Sequence, residues 1–196
     1  MSALASSVDG MKLDWNDELR SQLEWHWDNQ LRPRLTGLTD DEYFWEPVTD
    51  CWSIRRHGES TAPISVGGGD FAMDYALPPP KVEPFTTIAW RLGHLVVGVF
   101  GMRNAAHFGG PAADYSTFEY AGSAAVALAQ LDAGYAHWVK GVQSLGAEGL
   151  ERPCGPAEGP YAEHSMATLV LHIHREVIHH GAEIALLRDL YLRDGA

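Results

Sequence analysis

The stretch from about Glu163 to Leu192 constrains the fold more than any other part of the chain. Its apolar residues Leu169, Ile173, Ile184 and Leu187 recur at helical spacing, and residues three or four apart share one helix face. Glu176 and His180 fall on that same stripe. A carboxylate aimed at a core is costly to bury unless a metal or a donor meets it. Glu176 therefore needs a metal or a hydrogen-bond donor beside it.

Three further segments have helix length. Residues 14–35 place Asp14 at an N-cap, with Asp17 and Glu18 in the first turn, where the helix dipole favours acids. Trp15, Leu19, Leu23, Trp27 and Leu31 follow at i+4 steps, and Pro33 and Gly37 end the run. The second helix starts at Thr86 or Thr87 and stops before Gly109-Gly110-Pro111. The third runs from Ser123 to Leu145 with Gly146 just beyond; Ser116 with Glu119 offers a rival start as a capping box. Between helices one and two the helical signal is lost from Thr36 to Phe85, where Pro47, Pro63, Gly67–Gly69 and Pro78–Pro80 fall. That stretch also holds Tyr43, Phe44, Trp45, Trp52, Phe71 and Tyr75, and disordered segments are poor in such rings. The expectation is an ordered flap with a short hairpin around Gly67–Gly69. The fold expected is all-α, a four-helix bundle with a long irregular loop between helices one and two, in a single domain over residues 1–196.

Charge narrows the partners. Lys+Arg is 14 and Asp+Glu is 26, a net charge of −12, so neither nucleic acid nor an anionic membrane is an expected partner. Apolar runs fall far short of the ~20 residues of a membrane span. Residues 1–15 lack a basic start and a long apolar run, which argues against a signal peptide. Cys51 and Cys154, far apart, form no framework. The cysteine usage fits a cytoplasmic protein; a small-molecule substrate and a homodimer are compatible with this charge and composition.

Helix two places His94 in an apolar midsection, and Gly93, Gly98 and Gly101 would let another helix approach. His94 with Glu176 and His180 makes a two-His-one-carboxylate set with open coordination positions, as in catalytic zinc or non-haem iron sites. Spacing alone fits a helix-surface ion pair and ordinary core or surface imidazoles better than a metal site. His172 extends the Glu176 face, whereas His174 and His179 fall on the other side, at the surface or in support. His26 on helix one is a general-base candidate or a hydrogen-bonded wall. Arg91, one turn before His94, is a candidate for binding a substrate carboxylate, or an ordinary ion pair. Trp45, Trp52 and Trp90 could wall a pocket or pack in the core. Glu183, three residues after His180, could hold that ligand in place. His57 and His107 carry no assignment.

Three segments together resemble a known family: Ile88-Ala-Trp-Arg-Leu-Gly-His94-Leu, Tyr43-Phe-Trp-Glu-Pro47 with Cys51-Trp52-Ser53, and Arg175-Glu-Val-Ile-His-His-Gly-Ala-Glu-Ile184. They resemble the DinB-like superfamily, which includes mycothiol-dependent maleylpyruvate isomerases and bacillithiol-linked transferases. The resemblance runs from about Asp14 to Tyr191 and is most specific on helix four. It implies a four-helix bundle holding a divalent metal through one His of helix two and two residues a turn apart on helix four. The pair has the Glu-x-x-x-His form of the mycothiol-dependent isomerases rather than His-x-x-x-His, so the ligands implied are His94, Glu176 and His180. The isomerases carry an additional C-terminal domain, and the ergothioneine-pathway sulfoxide synthases a large second domain; neither is in these 196 residues. Zinc is the first expectation for the metal, with nickel, iron or manganese as alternatives. The function implied is a metal-dependent enzyme activating a low-molecular-weight thiol such as mycothiol as co-substrate, an S-transferase or isomerase. A hydrolase using metal-activated water and a non-catalytic, stress-associated metal-binding bundle are the competing readings. In the last, His172 or His26 would close the coordination as a fourth ligand.

Overall fold

The computed structural model describes residues 13–194. The N-terminal stretch read for a leader lies outside them, apart from its last three residues. The structure is mainly helical, with a small sheet.

Helix α1 (residues 15–34) is capped as expected: the Asp14 carboxylate accepts from the backbone N–H of Asn16 and Asp17. It buries Leu23, Trp27 and Leu31 but leaves Trp15 63% exposed, so the stripe holds only from the second turn onward. Trp27–Leu31 is a π turn, with the Arg32 N–H bonded to the Trp27 carbonyl. The Trp27 ring stacks on Tyr135 at 3.7 Å between centroids.

The stretch expected to be irregular is in fact structured. Helix α2 (Asp40–Phe44) starts from a Thr39–Glu42 capping box. Strands β1 (Ile54–Arg56), β2 (Ile64–Val66) and β3 (Phe71–Tyr75) form an antiparallel sheet in the order β1-β3-β2. The hairpin expected at Gly67–Gly69 is the β2–β3 turn. The all-α expectation is corrected here. Strands of three to five residues are too short to show alternation, and β3 buries Ala72, Met73 and Asp74 in succession. Asp74, 1% exposed, is the sheet's polar anchor. It accepts from the Ser53 N–H at 2.9 Å, Ser60 Oγ at 2.6 Å and Arg55 Nε at 3.2 Å. Its own carbonyl accepts from Trp90 Nε1 at 2.9 Å, which ties the sheet to the next helix.

Helix α3 runs over residues 88–108, from an N-cap at Thr87 to a left-handed Gly109 (φ 68°). Its middle, Leu95–Gly101, is π-helical. Helix α4 (Ala124–Glu151) starts at Ser123, and its backbone leaves the helical region at Gly146 (φ 59°), the expected stop. The rival start at Ser116 is a turn instead, in which Asp114 caps Ser116 and Thr117. After a short 3₁₀ turn, Pro156–Tyr161, helix α5 covers Met166–Tyr191 with Ser165 as its cap. Helix α4 packs on α1, α3 and α5, and α3 packs on α5. Trp138, Phe100, Leu131 and Ile173 fill the space between them. Arg32 and Asp132 pair with two bonds at 2.6 and 2.9 Å across α1 and α4. Arg188 of α5 likewise holds Glu42, whose side chain is 4% exposed.

Among the described residues no helix is long and apolar enough to cross a membrane. An Asp74→Ala variant should unfold at lower urea, losing about 2–4 kcal/mol, because three donors lose a buried acceptor at once. An unchanged midpoint would show that Asp74 does not anchor the sheet.

Candidate metal centre

Three donors converge where α3 crosses α5. His94 comes from α3; Glu176 and His180 stand one turn apart on α5. Their ligand-capable atoms all lie within 4.8 Å of one another. His180 Nε2 is 3.5 Å from Glu176 Oε2. The two imidazoles meet edge to face, with centroids 4.8 Å apart. The His180 and Glu176 side chains are 14% and 24% exposed, so the group is sheltered yet reachable.

Each imidazole is held through its far nitrogen. Glu183 Oε2 is 2.7 Å from His180 Nδ1. A carboxylate only accepts, so Nδ1 carries the proton and Nε2 the lone pair. Arg91 pairs with the same Glu183 oxygen. Burial works to raise the Glu183 pKa, but the His180 hydrogen bond and the Arg91 charge outweigh it and hold the group below its ordinary value. On the other side, Tyr115 Oη lies 2.8 Å from His94 Nδ1. Burial pushes the Tyr115 phenol up to about 12, so it keeps its proton at neutral pH. Burial, with the neighbouring His180 charge, pulls His94 down to about 4, so its ring is neutral and fit to ligate. Trp90 stacks on His94 at 5.7 Å.

A glycine makes the Tyr115 contact possible. A Cβ on Gly98, one turn after His94, would lie 1.9 Å from the Tyr115 hydroxyl. The glycines of α3 thus admit loop and strand side chains rather than another helix: Gly93 faces Ile54 and Tyr120, and Gly101 faces Ala113.

Residues 22–184 match the family model of the DinB superfamily. The chain belongs to the DinB superfamily. No curated protein and no solved structure matches it. His94, Glu176 and His180 all lie inside the DinB match.

The other residues singled out in the sequence divide. Arg91 is engaged with Glu183 rather than open to a substrate. His26 is not among the converging donors; its Nε2 is buried without a partner, and burial lowers its pKa. His172 also stands outside the group, with Nδ1 3.6 Å from Glu176 Oε1. His179 is exposed and reaches Glu183 at 3.5 Å. His174, expected at the surface or in support, is instead 7% exposed and packs edge-on against Trp138. Trp90 lines the donors, whereas Trp45 packs on Tyr191 and bonds Asp194, and Trp52 bridges to Thr86 by its backbone. Tyr115 carries no signal in the sequence. It lies in a connection without periodicity, and only Gly98 at i+4 from His94 hints that something approaches there.

Gly98→Ala should cost about 1–3 kcal/mol through overpacking. In a Tyr115→Phe background the cost should shrink by at least ~0.5 kcal/mol, because the clashing oxygen is gone. Urea unfolding of the four metal-free proteins measures this coupling; additive losses would mean the two residues do not meet.

Proposed function

We propose that this DinB protein is a divalent-metal-dependent enzyme that activates a low-molecular-weight thiol, as an S-transferase or isomerase. The observation that carries the reading is the convergence of His94, Glu176 and His180, with both imidazoles pinned through Nδ1 by Tyr115 and Glu183. Pinning of this kind orients metal-bound histidines and raises their basicity. The donors suit zinc first, with nickel, iron or manganese also accommodated. Neither His172 nor His26 joins the three, which favours an open catalytic position over a closed structural one. On this reading the four long helices form the family's four-helix bundle, in one domain.

His94, Glu176 and His180 would hold the cation. When bound, such a cation makes a coordinated thiol deprotonate near neutral pH, giving a thiolate nucleophile. The protein's part is to position and shelter. Glu183, kept ionised by Arg91, holds the His180 ring in the tautomer that presents Nε2. Trp90 covers one face of His94 and limits water there. Tyr115 and Glu183 are each committed to an imidazole. Neither is free to protonate a leaving group, which favours thiol transfer over hydrolysis. The Glu-x-x-x-His form, similar to that of the mycothiol-dependent isomerases, makes mycothiol the first co-substrate to try.

The purified protein should take up about one divalent metal per chain. Glu176→Gln should remain helical by circular dichroism yet bind zinc more weakly by over ~100-fold, beyond the ~10–100-fold typical of a lost supporting contact. Wild-type affinity in this variant would remove Glu176 from the ligand set. Mycothiol should raise the melting temperature of the zinc-loaded protein and leave Glu176→Gln unmoved; equal shifts in both would count against thiol activation at this centre.

Tyr115→Phe should keep the metal but bind it about 10-fold more weakly. An unchanged affinity would show that the His94 ring is oriented by packing alone.

A further inference from the structure

A cleft of about 480 Å³ opens on the flank of the helices next to the three donors. It is lined by Arg103 of α3, by His172 and Arg175 of α5, and by apolar surface from Leu169, Leu171 and Tyr161. His172 is a wall common to both places, since its Nδ1 lies 3.6 Å from Glu176 Oε1. The volume falls within the ~300–1,000 Å³ of small-molecule sites.

The charge of the lining runs against that of the chain. The molecule carries −12 overall, yet two guanidiniums and two imidazoles, counting His164, line the cleft against one carboxylate, Glu158. That carboxylate is already taken. Its side chain is 7% exposed and meets His107 Nε2 at 2.9 Å and Arg103 Nη2 at 3.2 Å. Arg103 is fixed in turn by donating to the Gly98 carbonyl at 2.8 Å, and its Nε is buried without an acceptor. Arg175 Nη2 lies 2.5 Å from His172 Nδ1 and 3.5 Å from Glu176 Oε1, but with a side chain 69% exposed it is the cleft cation most accessible to a ligand.

We infer that this cleft binds a small organic carboxylate, an apolar body lying on Leu169, Leu171 and Tyr161 with its anionic end toward Arg175 and Arg103. The inference deepens the proposed function, on which it rests for the idea that the bound acid is the acceptor substrate. A monoanion suits the lining better than a phosphate dianion, because Glu158 already contributes a negative charge. Guanidiniums match a carboxylate with paired, planar bonds, and the apolar wall supplies affinity that a free inorganic anion could not use.

The probe is 2-naphthoate, with 2-naphthamide as its uncharged counterpart, titrated by calorimetry into metal-free and zinc-loaded protein. Naphthoate should bind both forms saturably, and naphthamide about 10-fold more weakly. Arg175→Glu should weaken naphthoate about 5-fold or more, whereas Lys140→Glu, the same charge change at an exposed residue of α4 outside the cleft, should not. Arg103→Lys, which keeps the charge but loses the fork, should also weaken it. Because Arg103 braces Gly98 and Glu158, the Arg175 variant alone decides the matter if Arg103→Lys misfolds.

Equal binding of acid and amide, no saturable binding, or equal weakening by Arg175→Glu and Lys140→Glu would overturn the proposal. Glu176→Gln separates the two readings. If it loses zinc but binds naphthoate, both stand; if wild type binds naphthoate through Arg175 but takes up no zinc, the cleft stands and the metal reading falls.

Discussion

The structure around the three donors depends on one electrostatic constraint. Glu176 sits on the inward side of α5, where an unpaired carboxylate is costly to keep, and it faces two imidazoles from two helices. A cation placed among them would be met by both rings only if their lone pairs point inward, which requires a partner on the far nitrogen of each ring. The chain supplies both: a carboxylate held by an arginine behind His180, and a phenol behind His94. Helix crossing, the glycine at 98 and the Arg91–Glu183 pair all serve that orientation.

Much of this is legible in the sequence because helical periodicity is local. The i+4 relation of Glu176 and His180, the cap at Asp14, the stop at Gly109 and the break at Gly146 follow from spacing and backbone preference. The features that escape depend on contacts between distant segments. Nothing near Asp114 announces that Tyr115 reaches the interior, and nothing in Arg91 shows that its partner lies 92 positions away. His174 is misplaced by periodicity for a related reason. Spacing treats the Glu176–His180 side of α5 as the only buried one, whereas a helix packed against two neighbours buries two sides.

The π-helical stretches explain a further share of the discrepancy. One follows His26 and the other follows His94. Such turns are rare and are found disproportionately at functional sites. Each adds a residue to a turn and rotates the next turns relative to a straight helix, so a 3.6-residue template loses track of faces beyond it. On α3 the rotated part includes Gly98, which faces the loop carrying Tyr115.

That loop is gripped by the sheet as well as by the helices. The backbone N–H of Gly68, at the β2–β3 turn, donates to the Phe118 carbonyl at 2.9 Å, and a Cβ there would come within 2.3 Å of the Thr117 carbonyl oxygen. One imidazole is therefore braced from within its helix pair and the other from a connecting segment outside it. Connecting segments vary in length and composition more freely than packed helices. A lineage could retune the basicity of one imidazole by rewriting the turn at 67–69 and the segment it grips, while leaving the three converging side chains and the helical core intact. The small sheet is then the adjustable part of an otherwise conservative scaffold.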